Sequence, residues 1–215
     1  MTFATMLSTM GVGMLRTLGI FFLTLILSVP LGVLVVIGRR TRLKPLQVIL
    51  KVYIDIMRGT PLMLQLLVWY FGPYYLFGWS IRGWRFPAII VGFMLNYAAY
   101  FSEIFRSGIE SIPKGQYEAA EVLGYSKSQT FFKIILPQVT KIVLPPVTNE
   151  VITLIKDTSF AFTLAYSEVF SIAKQISASQ TSFMPFLIAG AFYFIMNYVV
   201  AWAMTRAEKA LSYFR

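Results

Sequence analysis

Apolar side chains in this chain fall in long, nearly uncharged blocks separated by short basic stretches. A membrane-crossing helix needs about 20 mostly apolar residues. Residues 11–38 meet that length and have a charge-free core over 17–38. Pro30, between Ser28 and Gly32, predicts a kink there. Residues 59–81 form a second block, in which Thr60 and Pro61 read as an N-cap and a first-turn proline. A third block begins at residue 86 and continues helically to 110, and 183–205 is a further clear span. Residues 146–166 are long enough but hold Glu150, Lys156 and Asp157. Charges at membrane depth rarely face lipid, so this helix is expected to face protein or water.

The pattern predicts an all-α polytopic membrane protein: one transmembrane domain over 1–215 with five spans and a capped loop over 111–145. With five spans the two ends lie on opposite sides. Arg39, Arg40, Arg42, Lys44, Lys51 and Arg58 sit between the first two spans. Arg106 and Lys114, Lys127, Lys133 and Lys141 belong to the same side, as do Arg206, Lys209 and Arg215. The other side receives Arg82, Arg85 and Lys174. Fourteen against three predicts a cytosolic C-terminus and an external N-terminus. Trp79, Trp84 and Phe86 then form an outer aromatic belt. The first ten residues carry no positive side chain, so a cleaved leader is not expected.

Composition agrees with the membrane class. Of 215 residues, 57% are hydrophobic and 13% charged, against about a quarter charged in soluble domains. The net charge of +10 would suggest nucleic acid in a soluble protein. Here the basic residues lie between apolar blocks, so orientation explains them better and no nucleic-acid partner is expected. There is no cysteine and no histidine, which removes thiolate nucleophiles, imidazole metal sites and the usual general base.

The loop over 111–145 is closely punctuated. Residues 116–123 read as a short helix with Gly124 at a left-handed C-cap. Ser126 and Gln129 read as a capping box for a second helix that runs through Phe131, Phe132 and Ile135 to Pro137. Ala119 and Ala120 keep the first helix thin, so another surface can approach its backbone.

Glu118-Ala119-Ala120, then Gly124, then Ile134, Leu136 and Pro137 resembles the EAA loop of bacterial ABC importer permeases. Arg58-Gly59-Thr60-Pro61, Asn149-Glu150 and Lys156-Asp157-Thr158-Ser159 resemble the polar amino acid permease group. The resemblance extends over roughly 10–206. It implies that the loop is a coupling helix docking on a cytosolic ATPase through Glu118, Ala119, Ala120 and Gly124. It further implies a second permease subunit, same or different, and an external solute-binding protein. ATP and magnesium then belong to the ATPase subunit, because this chain has no G-x-x-x-x-G-K-[ST] loop.

Two polar stripes are candidates for the solute path. Asn96, Tyr100, Glu103, Ser107 and Glu110 share one helix face, and Glu150, Thr153 and Asp157 share another. The two are expected to face each other across a polar cavity and to bind the solute. More acceptors than donors leans the solute toward a basic amino acid such as arginine, lysine or histidine, with Lys156 placed to meet its carboxylate. Glu103 with Arg106 and Arg106 with Glu110 are equally well spaced for structural ion pairs, and Arg58 reads as an interfacial anchor. An ion-coupled secondary amino acid carrier is the alternative; five spans without an internal repeat weigh against it. The missing histidine and cysteine weigh against a membrane enzyme.

Overall fold

The computed structural model describes residues 2–211, so Arg215, counted above for orientation, lies outside them. All elements among the described residues are helical. Helix α1 spans Phe3–Arg39, α2 Lys44–Gly59, α3 Leu62–Phe77, α4 Arg85–Glu110 and α5 Lys114–Val122. A short helix α6, Lys127–Thr130, runs through a π-helical turn, Phe131–Ile135, into α7, Leu136–Asp157, and a 3-10 turn, Thr158–Leu164. Helices α8, Val169–Gln180, and α9, Met184–Leu211, complete the chain. Four rods are long and apolar enough to cross a membrane: α1, α4, the run Lys127–Leu164, and α9. The shorter apolar helix α3 stands with them as the fifth membrane helix.

Helix α1 packs most extensively on α4. Its contact face carries the small residues Thr24, Ser28 and Gly32, all buried, while buried Gly13 and Thr17 nearer the N-terminus meet Val169 of α8. Opposite stand Ala98, Ala99 and Ser102, also buried. In a bilayer lipid solvates apolar side chains well, so helices associate by close backbone approach at small residues. A Cβ on Gly32 would sit 3.0 Å from Phe101 Cβ. Above and below this crossing, Ile20, Phe21, Phe93, Tyr97, Leu154 and Ile155 form the main core. Pro30 is carried within an uninterrupted helix.

Three differences from the sequence reading concern continuity. First, the stretch before Gly59, to which the sequence reading gave no element, is an amphipathic helix. Ile54 packs with Val35 and Ala99 in the bundle. Second, Thr60 does not cap α3. Its hydroxyl donates back to Ile56 O at 2.8 Å, and Pro61 takes the N-cap position. Third, the charged span does not begin at residue 146. It is the end of a rod starting at Lys127, with Pro145 and Pro146 inside helix α7. Helix α8 was absent from the sequence reading, since its short polar turns match neither a span nor a loop motif. Its N-cap is Glu168, whose carboxylate accepts from Ser171 N at 2.6 Å and Phe170 N at 2.7 Å.

Candidate functional site

The polar interior begins at the break between α2 and α3. At Gly59-Thr60-Pro61 the helical ladder stops, leaving carbonyls that need donors from elsewhere. Gln65 Nε2 donates to Met57 O at 2.9 Å and Thr60 O at 3.1 Å. Asn96 Nδ2 donates to Met57 O and to Gln65 Oε1, both at 3.0 Å. Asn96 is therefore committed to holding the break. The break also leaves Arg58, the penultimate residue of α2, pointing into the bundle.

Arg58 meets α4 and α7 around a cavity of about 360 Å³. Tyr100, Glu103, Arg106 and Ser107 line it from α4, and Pro146 and Glu150 from α7. The volume lies in the range of small-molecule sites, about 300–1,000 Å³. Glu103 is the electrostatic hub. It takes a hydrogen-bonded ion pair from Arg39, another from Arg106 Nη2 at 2.8 Å, and lies 3.7 Å from Arg58 Nη1. Arg106 also pairs with Glu110. The spacings Glu103–Arg106 and Arg106–Glu110 thus form the structural pairs their sequence separation allows. Arg58 is held more loosely, its guanidinium carbon 5.5 Å from the Tyr100 ring centroid. Glu150 has no ion pair or hydrogen bond from its side chain among the described residues. The cavity thus presents one loosely held cation and one unclaimed carboxylate.

The structure brings Tyr100, Glu103 and Glu150 to this cavity and leaves Asn96, Thr153 and Asp157 out of its lining. Asp157 Oδ2 accepts from the Tyr97 hydroxyl at 2.7 Å. Lys156 is exposed and outside the lining, whereas Arg58 is part of it. Sequence reasoning gave Arg58 an interfacial role because the break that admits it was read as a span start. Gln65, a lone amide in an apolar block, was the available signal. Arg39 and Glu103 are too far apart in sequence for any spacing rule to join them.

The second candidate surface is α5. Gly124 adopts φ +78, and Tyr125 N donates to Ala120 O at 3.0 Å while Gly124 N donates to Glu121 O at 2.9 Å. These two bonds form the Schellman motif that ends α5. Ser126 and Gln129 form the complete capping box of the next helix. Glu118 and Ala119 are exposed, whereas Ala120 is buried against this chain's own interior. Of the proposed contact residues, Ala120 therefore faces inward, because one side of a short helix must seat on the bundle. Val122 and Leu123 are outward and largely exposed, at 88% and 73%.

Comparison with known proteins places this geometry. Residues 28–213 match the family described as "Binding-protein-dependent transport system inner membrane component". The chain is 33% identical to the L-cystine transport system permease protein TcyB of Bacillus subtilis (strain 168), over 93% of this chain and 85% of that protein. It is 34% identical to the arginine transport system permease protein ArtQ of the same strain, over 93% and 90%. It is 35% identical to the histidine/lysine/arginine/ornithine transport system permease protein HisM of Escherichia coli (strain K12), over 92% and 86%. A crystal structure of an amino acid ABC transporter with histidines superposes with a TM-score of 0.87 at 29% identity, covering 98% of this chain and 99% of that one. The inward facing MetNI methionine ABC transporter shares the fold, with a TM-score of 0.76 at 19% identity over 99% and 100%. A five-crossing bundle, a capped loop helix and a match over most of the chain agree: this protein is an ABC transporter permease subunit and belongs to the family of binding-protein-dependent transport system inner membrane components.

Proposed function

We propose that this chain forms the solute path of an ABC importer for a polar amino acid, with a lean toward basic ones. A separate ATPase, which holds ATP and magnesium, drives it; a second permease subunit pairs with it, and an external solute-binding protein delivers the solute. The end carrying α5 is cytosolic and the N-terminus is external. The observation that carries this reading is the pairing in one cavity of Arg58, loosely held, with Glu150, unclaimed. An amino acid needs an acceptor for its ammonium and a donor for its carboxylate, and these two supply both. Glu103 and Tyr100 complete the walls. Thr153 and Asp157, one and two turns along the Glu150 face, extend the polar surface toward mid-membrane.

The same cavity lies in the half of the bundle nearest α5, because Arg106 and Ser107 precede that helix by about two turns. Displacement of Glu118 and Ala119 by the ATPase would therefore move the cavity wall through α4. Transport follows as a shift between two states that bind solute differently. The reading is supported by relatives whose names specify arginine and histidine/lysine/arginine/ornithine. The test is ATP-driven uptake by vesicles carrying the assembled transporter, using arginine, lysine, histidine, glutamine and cystine in competition. Uptake of a basic amino acid, lost in Glu150→Gln, supports it. Uptake of cystine unaffected by any of the basic competitors overturns the lean, and uptake driven by an ion gradient without ATP overturns the class.

A further inference from the structure

The loop between α3 and α4 is tightly built. Gly78 N donates to Tyr74 O at 2.9 Å and Trp79 N to Pro73 O at 3.3 Å, with Gly78 at φ +66. Ser80 Oγ accepts from Arg82 N at 3.3 Å, and the Trp84 indole donates to Trp69 O at 3.0 Å. Trp84 is also the N-cap of α4, so the loop is pinned to both helices. It closes a cavity of about 620 Å³ at the end of α4 away from α5. Tyr70 and Tyr74 line this cavity from α3, Ser80 and Arg82 from the loop, and Arg85 from α4.

The cavity gathers positive charge that this chain does not neutralise. Arg85 Nη1 donates to Ala165 O at 3.3 Å. The Arg82 guanidinium and the Tyr70 and Tyr74 hydroxyls have no hydrogen bond or ion pair among the described residues. Residues 1–38, 56–102 and 158–207, which include the connections at this end, hold one acid, Glu168. Its carboxylate is engaged as the cap of α8. Of the three basic residues that the orientation count leaves on this side, Arg82, Arg85 and Lys174, two line this cavity.

Position decides which anion fits. The apolar run of α3 stops at Phe77. Tyr75, Leu76, Phe77 and Trp79, next to the cavity in the chain, are exposed. Aromatic side chains at the end of a membrane helix sit at the level of lipid head groups. Tyr70 lies seven residues before Phe77, or about 10 Å deeper along the helix. The cavity is thus basic at its rim and aromatic toward the hydrocarbon, the polarity of a phospholipid's head group and glycerol. A small free anion, or a carboxylate on a docked protein, would use the rim and leave the Tyr70 end unfilled.

We infer that this cavity holds the head group of an anionic phospholipid, with Arg82 and Arg85 on the phosphate and the Tyr70 and Tyr74 hydroxyls along the head group and glycerol. A basic pocket between membrane helices suits such a head group, and a guanidinium matches phosphate through paired hydrogen bonds. The site shares no lining residue with the Arg58–Glu150 cavity, and the inference does not depend on which solute is carried. The bound lipid would tie the α3–α4 connection to its leaflet.

The test uses the assembled transporter, stripped of lipid in detergent and titrated with phosphatidylglycerol or phosphatidylcholine, with bound lipid counted by native mass spectrometry. Phosphatidylglycerol is expected to bind the unaltered protein about tenfold more tightly than it binds Arg82→Gln, the loss of one charge-assisted contact. A phosphatidylglycerol carrying a diazirine at the start of its acyl chain is expected to cross-link within 70–85. Tyr70→Phe combined with Tyr74→Phe keeps both rings and removes the hydroxyls; weaker binding is expected there too, which keeps the test open if Arg82→Gln does not assemble. Equal affinity in the variants and the unaltered protein overturns the inference, as does equal affinity for the two lipids or cross-linking confined to other segments. Displacement of the lipid by inorganic phosphate overturns it in favour of a free anion. Unchanged lipid binding in Arg82→Gln, beside weakened binding of the external solute-binding protein, overturns it in favour of protein docking.

Discussion

The Tyr97 hydroxyl donates to Asp157 Oδ2 at 2.7 Å and ties the middle of α4 to the last residue of α7. Tyr97 is almost fully buried, so this bond is made away from bulk solvent. Tyr97→Phe removes the donor and leaves Asp157 with one partner fewer. The expected cost is about 1–3 kcal/mol, the penalty for an unsatisfied buried polar group, read as a lower thermal midpoint in detergent. Asp157→Asn keeps an acceptor and is expected to lower the midpoint less, while weakening uptake by removing charge from the polar face. Unchanged uptake affinity in Asp157→Asn assigns the residue to structure alone.

Glu103 and Glu150 separate by the same kind of measurement. Glu103 joins Arg39, Arg58 and Arg106, so Glu103→Gln leaves guanidinium groups facing one another. Its partly exposed setting puts the expected loss near 2 kcal/mol, between surface and buried pairs. Glu150 has no such obligations. Glu150→Gln is expected to leave the thermal midpoint unchanged or slightly raised and to raise KM for a basic amino acid by about tenfold, the loss of one charge-assisted bond. A fall in the midpoint with KM unchanged would reverse the two assignments.

Gly124 stands at φ +78, where a Cβ is strained. Gly124→Val is expected to unwind the end of α5 at a cost of about 1–2 kcal/mol and to abolish solute-stimulated ATPase activity in a subunit that still assembles. Gly124→Asn, which tolerates that backbone region, is expected to retain much of the activity. Equal stimulation in the valine variant and the unaltered protein would remove the coupling role.

Glu168 lies between crossings, at the start of α8. Burial pushes its carboxyl up to about 7, against two backbone amides and the Tyr193 hydroxyl, which hold it down. The folded protein therefore binds this proton more tightly than the unfolded chain, whose value is 4.5. Stability from this group is fully present below about 4.5 and declines as pH rises through about 7. The thermal midpoint in detergent is expected to fall over that window, and Glu168→Gln is expected to flatten the dependence. An identical slope in the variant assigns the titration elsewhere.

The sequence reading succeeded where one rule acts over a short range. Gly124 and the Ser126–Gln129 pair were legible because caps depend on a few adjacent residues. The long apolar blocks were legible because hydrocarbon thickness sets their length. The cavity position of Arg58 and the hydrogen bonds of Asn96 were not legible for one shared reason: both depend on the break between α2 and α3. Hydropathy averages across such a stop, and the amides that hold it, Gln65 and Asn96, come from different helices. The burial of Ala120 was hidden for another reason. The motif names its residues together, whereas a helix of nine residues must turn one side to its support.

The interruption at Gly59-Thr60-Pro61 has a consequence for how charge reaches the interior. A guanidinium on an unbroken lipid-facing helix would bend toward the nearest headgroups. Here a pair of carboxamides stands in for solvent at the chain's change of direction, so the arginine beside it stays aimed inward. The half above packs Leu66 closely against Gly92, so the change of direction is fixed from both sides and the arginine keeps its place on the cavity wall.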